Sequence, residues 1–269
     1  MKKAAILFSL MLAGLLTPEM RAERAWAVDS RALLVGFDTS RPFLITDLLL
    51  VTGLKPGEQI LGIDFRPANG RLYALGSSSR LYTINLETGA ATAVGNGAAF
   101  TPALQGTEFG FDFNPTVDRV RIVSNTGQNL RAHPDTGMIV ATDGALKYED
   151  GSTPNIIASA YTNSFAGSTS TVLYNIDATK KAVVTQMPPN DGNLVNIRPL
   201  VNMDFSGIAG FDISPVTNRG YLVMRESGSQ KAMVYEIYVE TGDHNPIGAI
   251  DLFEQLSGLA IEPTNVQLQ

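Results

Sequence analysis

From Gly62 onward the chain alternates short apolar runs with turn residues, and it repeats the same phrase. "GIDFRPANGRLYAL" runs from Gly62 to Leu75, "GFDFNPTVDRVRIV" from Gly110 to Val123, and "GFDISPVTNRGYLV" from Gly210 to Val223. Fainter copies, "ASAYTN" at Ala158 and "GLAIEP" at Gly258, fill the gaps, so successive starts lie 48, 48, 52 and 48 residues apart. Within a copy, "GIDF" alternates small or polar with apolar side chains, and "RLYAL", "RLYTIN" and "AATAV" follow as further β-rich runs. That is the period-two pattern of strands. The first turn of a copy contains "RPANG", "NPTVD" or "SPVTN", where proline presets φ and a later Gly, Asp or Asn accepts the tight return. The third contains Glu87-Thr88-Gly89, Asp135-Thr136-Gly137 or Glu240-Thr241-Gly242. Four short strands in a repeat of this length describe a β-propeller blade. The expected fold is all-β, a propeller of five four-stranded blades.

The two ends of the chain complement each other. "GLAIEPTNVQLQ" offers a first strand and then stops, while "RALLVGF", "PFLITDLL" and "LLVTG" read as second, third and fourth strands that lack a first. Pairing of N- and C-terminal strands would complete the fifth blade and close the ring. Ahead of this, Lys2 and Lys3 precede an apolar run from Ala4 to Leu16, and Ala25-Trp26-Ala27 supplies the small residues that a leader peptidase reads. The expected organisation is a signal peptide over 1–27 and one propeller domain over 28–269, the last blade completed by 28–56; an uncleaved anchor is the alternative. The run is short for a membrane span, which takes about 20 residues. The address is then periplasmic or extracellular. The only tryptophan, Trp26, would leave with the leader, so processed protein would lack tryptophan emission.

Composition narrows the partners. The formal net charge is −6, and removal of 1–27 makes the chain more acidic still, which leaves no electrostatic footprint for nucleic acid or an anionic membrane. Cysteine is absent, so an exported chain of this length relies on its core rather than on disulfides. Nothing in the sequence calls for assembly, and a monomer is expected.

The repeated phrases look like the "G-h-x-h-x-P-x-x-[ND]-x-h-Y" repeats of NHL-type and YVTN-type propellers. More narrowly, "GFDFNPTVDRVRIVSNTGQNLRAHPDTG", "AYTNSFAGSTSTVLYNID" and "PPNDGNL" resemble a family of exported bacterial proteins known as domain of unknown function four-three-nine-four. The resemblance implies fold and export. It carries over no catalytic residue, since that family has no assigned reaction.

Chemistry is sparse. There is no nucleophilic cysteine, no "GxSxG" elbow, no "HExxH" and no phosphate-cradling loop, and two histidines, His133 and His244, cannot make a three-histidine centre. Both sit at third turns, where a solvated or capping role is expected. Acids recur: Asp64, Asp112 and Asp212 hold one position in three first strands, and Glu58, Glu108, Asp204 and Glu254 lie in the loops leading into such strands. Converging carboxylates suit a hard cation such as calcium, as in metal-dependent propeller hydrolases of the lactonase kind. The competing expectation is structural, with each strand aspartate satisfying backbone donors or bridging adjacent blades.

Loops that break the repeat are the other candidates. On one face lie Gly95–Glu108, Ser124–Asn129 and Thr142–Asn155, which bring Gln105, Asn125, Gln128, Asn129, Tyr148, Glu149 and Asp150 into range of one another. Amides with an aromatic suit a polar small molecule, a sugar or a protein segment. Thr162–Ser170 and Pro188–Asn193 are placed on the opposite face. Three functions follow as expectations: a binding module without catalysis, a calcium-dependent hydrolase, and a structural surface or matrix component.

Overall fold

A computed structural model describes residues 22–204, 210–225, 228–229, 231–250 and 256–263. The strands form five sheets arranged as blades. Blade I contains β4 (Ile60–Phe65), β5 (Leu72–Gly76), β6 (Arg80–Ile84) and β7 (Ala91–Ala93). Blade II contains β8 (Phe109–Asn114), β9 (Arg119–Ser124), β10 (Asn129–Ala132) and β11 (Ile139–Thr142). Blade III contains β13 (Ile156–Tyr161), β14 (Leu173–Asp177), β15 (Ala182–Gln186) and β16 (Asn193–Pro199), and a two-residue strand, β12 (Lys147–Tyr148), pairs in parallel with β16. Blade IV contains β17 (Gly210–Ile213), β18 (Gly220–Arg225), β19 (Ala232–Ile237) and β20 (His244–Ile250). Blade V joins the ends of the chain, with β21 (Leu256–Ile261) innermost, then β1 (Arg24–Asp29), β2 (Leu33–Asp38) and β3 (Arg41–Leu50). The inner strands β4, β8, β13, β17 and β21 neighbour one another in cyclic order around an axis.

The turns form where their chemistry permits. Gly70, Asp118 and Asn218 close the three first turns with φ of 66°, 49° and 55°, in the left-handed region that Gly, Asn and Asp tolerate best. His133 and His244 are turn residues: the Nδ1 of His133 accepts from the Asp135 N–H, and that of His244 meets the Gly242 carbonyl at 3.0 Å.

Inner strands are buried along most or all of their length, completely so in β13, β17 and β21, because both faces of a blade pack on neighbours. The core divides into five apolar clusters, one per interface between blades. The II–III cluster takes only Val123 from blade II, and a polar network completes that interface. Arg121, 2% exposed, pairs with Asp143 at 2.5 Å and donates to Asn129 and Asn190 at 2.7 Å and to the Tyr161 hydroxyl at 3.3 Å. Asp143 also accepts twice from Arg131. With every group paired, the buried charges are tolerated.

Blade V differs from the sequence expectation in one respect. Its second strand is β1, so the runs read as second and third strands are the third and fourth, β2 and β3. Residues 24–27, assigned above to the leader, form most of β1, whose register pairs Trp26 with Gly36 of β2 and with Ala260 of β21. Ala25, Trp26, Ala27 and Val28 have no exposure, and the Trp26 indole N–H donates to Glu262 at 3.0 Å. A short apolar stretch between polar flanks has the same composition in a cleavage motif and in a buried strand; only partners on distant segments separate the two. Residues 1–21 of the expected leader lie outside the described residues.

Folded protein is therefore expected to show emission from one buried tryptophan, shifting to the red on unfolding. Trp26→Ala should cost about 3–5 kcal/mol, the usual range for a buried aromatic cut to alanine. Urea titration followed by circular dichroism checks this, and a loss below 1 kcal/mol would contradict the placement.

Candidate functional site

The axis is built from glycine and aspartate. A Cβ on Gly62 would stand 2.7 Å from the Phe111 Cβ, and one on Gly110 2.8 Å from the Ser159 nitrogen. One on Gly210 would stand 2.7 Å from the Gly258 carbonyl carbon, and one on Gly258 2.9 Å from the Ile63 nitrogen. Each glycine thus lets its inner strand close on that of the next blade, at distances no side chain allows. The remaining space at this level is a cavity of ≈ 10 Å³, about one water molecule.

Two residues further along, the inner strands meet through carboxylates. Asp64 accepts from the Phe113 N–H of the next blade at 2.7 Å, Asp112 from that of Tyr161 at 3.0 Å, and Asp212 from that of Ile261 at 2.6 Å. Blades III and V carry Ala160 and Ala260 at this position and cannot reach their neighbours. The donors they would have served are taken locally: Phe65 donates to Asp64 at 2.7 Å and Ile213 to Asp212 at 2.6 Å. Three carboxylates satisfy five buried backbone donors. Of their six oxygens, only Asp112 Oδ2 has no donor among the described residues.

The three aspartates are buried, with carboxylate oxygens within 4.8 Å of one another. Burial pushes all three carboxyls up. Asp64 is raised further by Asp212, and Asp112 by both others, so that these two lie well above the usual aspartate range. Asp212 is pushed up to about 7, with the Glu23 carboxylate adding to burial. The backbone N–H bonds to all three pull the other way. Such a cluster stores protons, and they belong to the trio rather than to single residues.

The other acids considered for a cation do not join this cluster. Glu58 accepts from the Ser78 N–H and hydroxyl and from the Tyr82 hydroxyl. Asp204 pairs with Lys181 at 2.9 Å. Glu108 is partly buried, which raises its carboxyl. Glu254 lies outside the described residues.

The loop candidates divide differently. Gln105, Asn125 and Gln128 come together, with the amides bracing the backbone of the 95–108 loop. Gln128 accepts from the Gln105 N–H and donates to the Ala103 carbonyl, both at 2.9 Å. Asn125 accepts from the Thr107 N–H at 3.1 Å and donates to its hydroxyl at 3.0 Å. The buried Ser79 hydroxyl accepts from the Leu104 N–H, and Phe100 plugs the loop into the core. Asn129 is buried and committed to Arg121, Gly144 and Pro189. Tyr148 is also buried, its hydroxyl donating to Asp177 at 2.7 Å. Glu149 and Asp150 are exposed, and Lys180 stacks on the Tyr148 ring and lies 3.9 Å from Asp150.

Pro188–Asn193 is not on an opposite surface. Gly144 N–H donates to the Asn190 carbonyl and Lys147 N–H to that of Gly192, both at 2.9 Å, while Leu146 N–H donates to Gly127. The connection from blade II runs along the edge of β16 before it reaches β13, so one continuous surface links 103–107, 124–128, 144–147 and 189–192. Sequence reasoning missed Arg121 altogether; its one signal is a charge set between Val120 and Ile122 in an apolar strand.

This geometry defines a class: a five-bladed β-propeller whose inner strands are tied by carboxylates and whose rim carries braced, irregular loops. The chain belongs to a domain-of-unknown-function family, DUF4394, whose model matches residues 33–260. Among solved structures, a structural genomics protein of unknown function from Bacteroides thetaiotaomicron matches with a TM-score of 0.50 and 12% identity, over 90% of this chain and 67% of that one. A nidogen/laminin complex gives a TM-score of 0.49 and 14% identity, over 90% and 98% of the two chains. Hydrazine synthase of Kuenenia stuttgartiensis gives 0.41 and 12%, over 72% and 51%. The sequence matches no curated protein.

The sign of the pH dependence follows from the raised carboxyls. An unfolded chain releases these protons near pH 4, whereas the folded trio keeps them to higher pH. Above about pH 4 the native state binds more protons, so this contribution to stability is greatest at the acid end and declines as pH rises, the Asp212 part being lost as pH passes about 7. Melting temperature should fall from pH 5.5 to 8, and Asp112→Asn, which keeps the acceptor for Tyr161, should flatten that fall. Asp64→Ala strips two buried donors of their acceptor and should cost roughly 2–6 kcal/mol, from about 1–3 per orphaned group. A wild-type melting temperature that climbs steadily over this pH range would refute the proton store.

Proposed function

We propose that the protein is an exported binding module, periplasmic or extracellular, that takes a polar small molecule or protein segment on the surface formed by the 95–108 and 142–155 loops. The observation that carries this reading is the bracing of the 95–108 loop. A fourteen-residue connection without regular structure is held by side-chain hydrogen bonds from the 124–128 turn, which take up the backbone N–H groups of Gln105 and Thr107 and the carbonyls of Ala103 and Gln105. Rigid presentation lowers the entropy cost of binding. The outward groups, chiefly the side chains of Gln105 and Glu149, remain available for hydrogen bonds.

A calcium-dependent hydrolase is the second reading, and the axial trio is what favours it. Five of the six carboxylate oxygens already accept backbone N–H bonds that hold blades together. We read the trio as structural for that reason. A bound cation would raise the melting temperature by mass action.

Glycan and peptide arrays, followed by calorimetry on the hits, test the binding surface. Gln105→Ala and Glu149→Ala should each weaken binding about tenfold or more, the worth of roughly 1.4 kcal/mol, without moving the melting temperature. Hits that ignore both variants would place the site elsewhere, and silence across the arrays would favour a structural spacer. Calcium at millimolar concentration, added after chelation, should leave the melting temperature unchanged; an upward shift of several degrees would restore the metal reading.

A further inference from the structure

We propose that the export leader is cut at the Ala22–Glu23 bond, an inference that rests on the export reading above. Ala25-Trp26-Ala27 has the composition of a cleavage motif, but a chain beginning at Val28 would lack most of β1. The innermost strand β21 and the third strand β2 would then lose the partner between them. The same cut would remove Trp26 from the V–I core, Ala25 and Ala27 from the IV–V core, and the Trp26–Glu262 hydrogen bond. No four-stranded blade V could form from that product.

Tertiary contacts begin one residue before the strand. The Glu23 N–H donates to the Thr39 hydroxyl at 3.1 Å, the Glu23 carbonyl accepts from the Thr39 N–H at 2.9 Å, and the Glu23 carboxylate accepts from the Ser214 hydroxyl of blade IV at 2.7 Å. Glu23 is 2% exposed, whereas Ala22 is exposed and has none of these contacts. The stretch between the apolar run and Glu23 reads Thr17-Pro18-Glu19-Met20-Arg21-Ala22. Ala22 supplies the small residue required before the scissile bond; Met20, two positions upstream, is uncharged but larger than the residue an A-x-A motif carries there, so the placement rests on Ala22 and on the contacts that begin at Glu23. Thr17 is followed by proline, whose nitrogen carries no hydrogen and is closed into a ring. Water adds across the Ala22–Glu23 amide, the leader leaves with the Ala22 carboxylate, and Glu23 gains a free α-amino group. That group still donates to Thr39, so the product keeps every contact of blade V.

The test is expression of the full chain with its leader in a Gram-negative host, then intact mass and N-terminal sequencing of the periplasmic and medium fractions. The expected product has lost 22 residues and begins at Glu23. Ala22→Tyr should delay cleavage and accumulate the uncut chain. An exported product beginning at Val28 or at any other residue, an exported chain that keeps its leader, or unchanged cleavage of Ala22→Tyr would overturn the assignment while leaving export standing. A chain confined to the cytoplasm would overturn both.

Discussion

Around the axis five inner strands run closer together than side chains normally permit, and closeness buries a backbone N–H from each that no ladder can satisfy. The repeated glycines allow the approach, and the aspartates two residues on supply acceptors for the donors it would otherwise strand. The two residue types answer one constraint and recur together for that reason. Blades III and V, which carry alanine in place of aspartate, show the economy of the arrangement. The neighbouring aspartate turns one oxygen back onto its own strand, and three acids cover five donors. A fourth or fifth carboxylate would add charge to a cluster whose carboxyls burial already pushes up.

Rigidity at the axis extends outward through the blade interfaces. Four of them are filled by apolar side chains from both blades. The II–III interface instead uses Arg121, Asp143, Asn129 and Asn190, whose hydrogen bonds have fixed directions and reach from β9 to the loop before β16. This is also where the irregular connections gather. The 142–147 segment is hydrogen-bonded to both the 124–128 turn and the 189–192 turn, so the surface proposed for binding rests on the most polar seam of the ring. A loop braced in this way can hold a polar surface in one shape, which the short regular turns elsewhere do not offer.

Residues bound by a repeated demand were legible in the sequence. Gly62, Gly110, Gly210 and Gly258 mark the same close approach, and Asp64, Asp112 and Asp212 the same bridge, so recurrence disclosed a structural need. Gly70, Asp118 and Asn218 were legible because the turn requires a left-handed residue. The loop amides were legible as a cluster and not as to role: Asn125, Gln128 and Asn129 spend their hydrogen bonds inside the protein, mostly on backbone, and composition does not distinguish an amide facing solvent from one facing a carbonyl. Pro188–Asn193 was misplaced because strand counting gives the rim on which a loop starts, not how far a neighbouring connection travels to meet it.

The sequence alone determined the repeat, the strand count in each blade and the turn chemistry, because each depends on residues within a few positions of one another. Tertiary structure decided the surroundings of Ala25-Trp26-Ala27, which lie buried within β1. A four-residue apolar segment gains its place from the strands on either side, and here those strands come from residues 33–38 and from 256–261, at the far end of the chain.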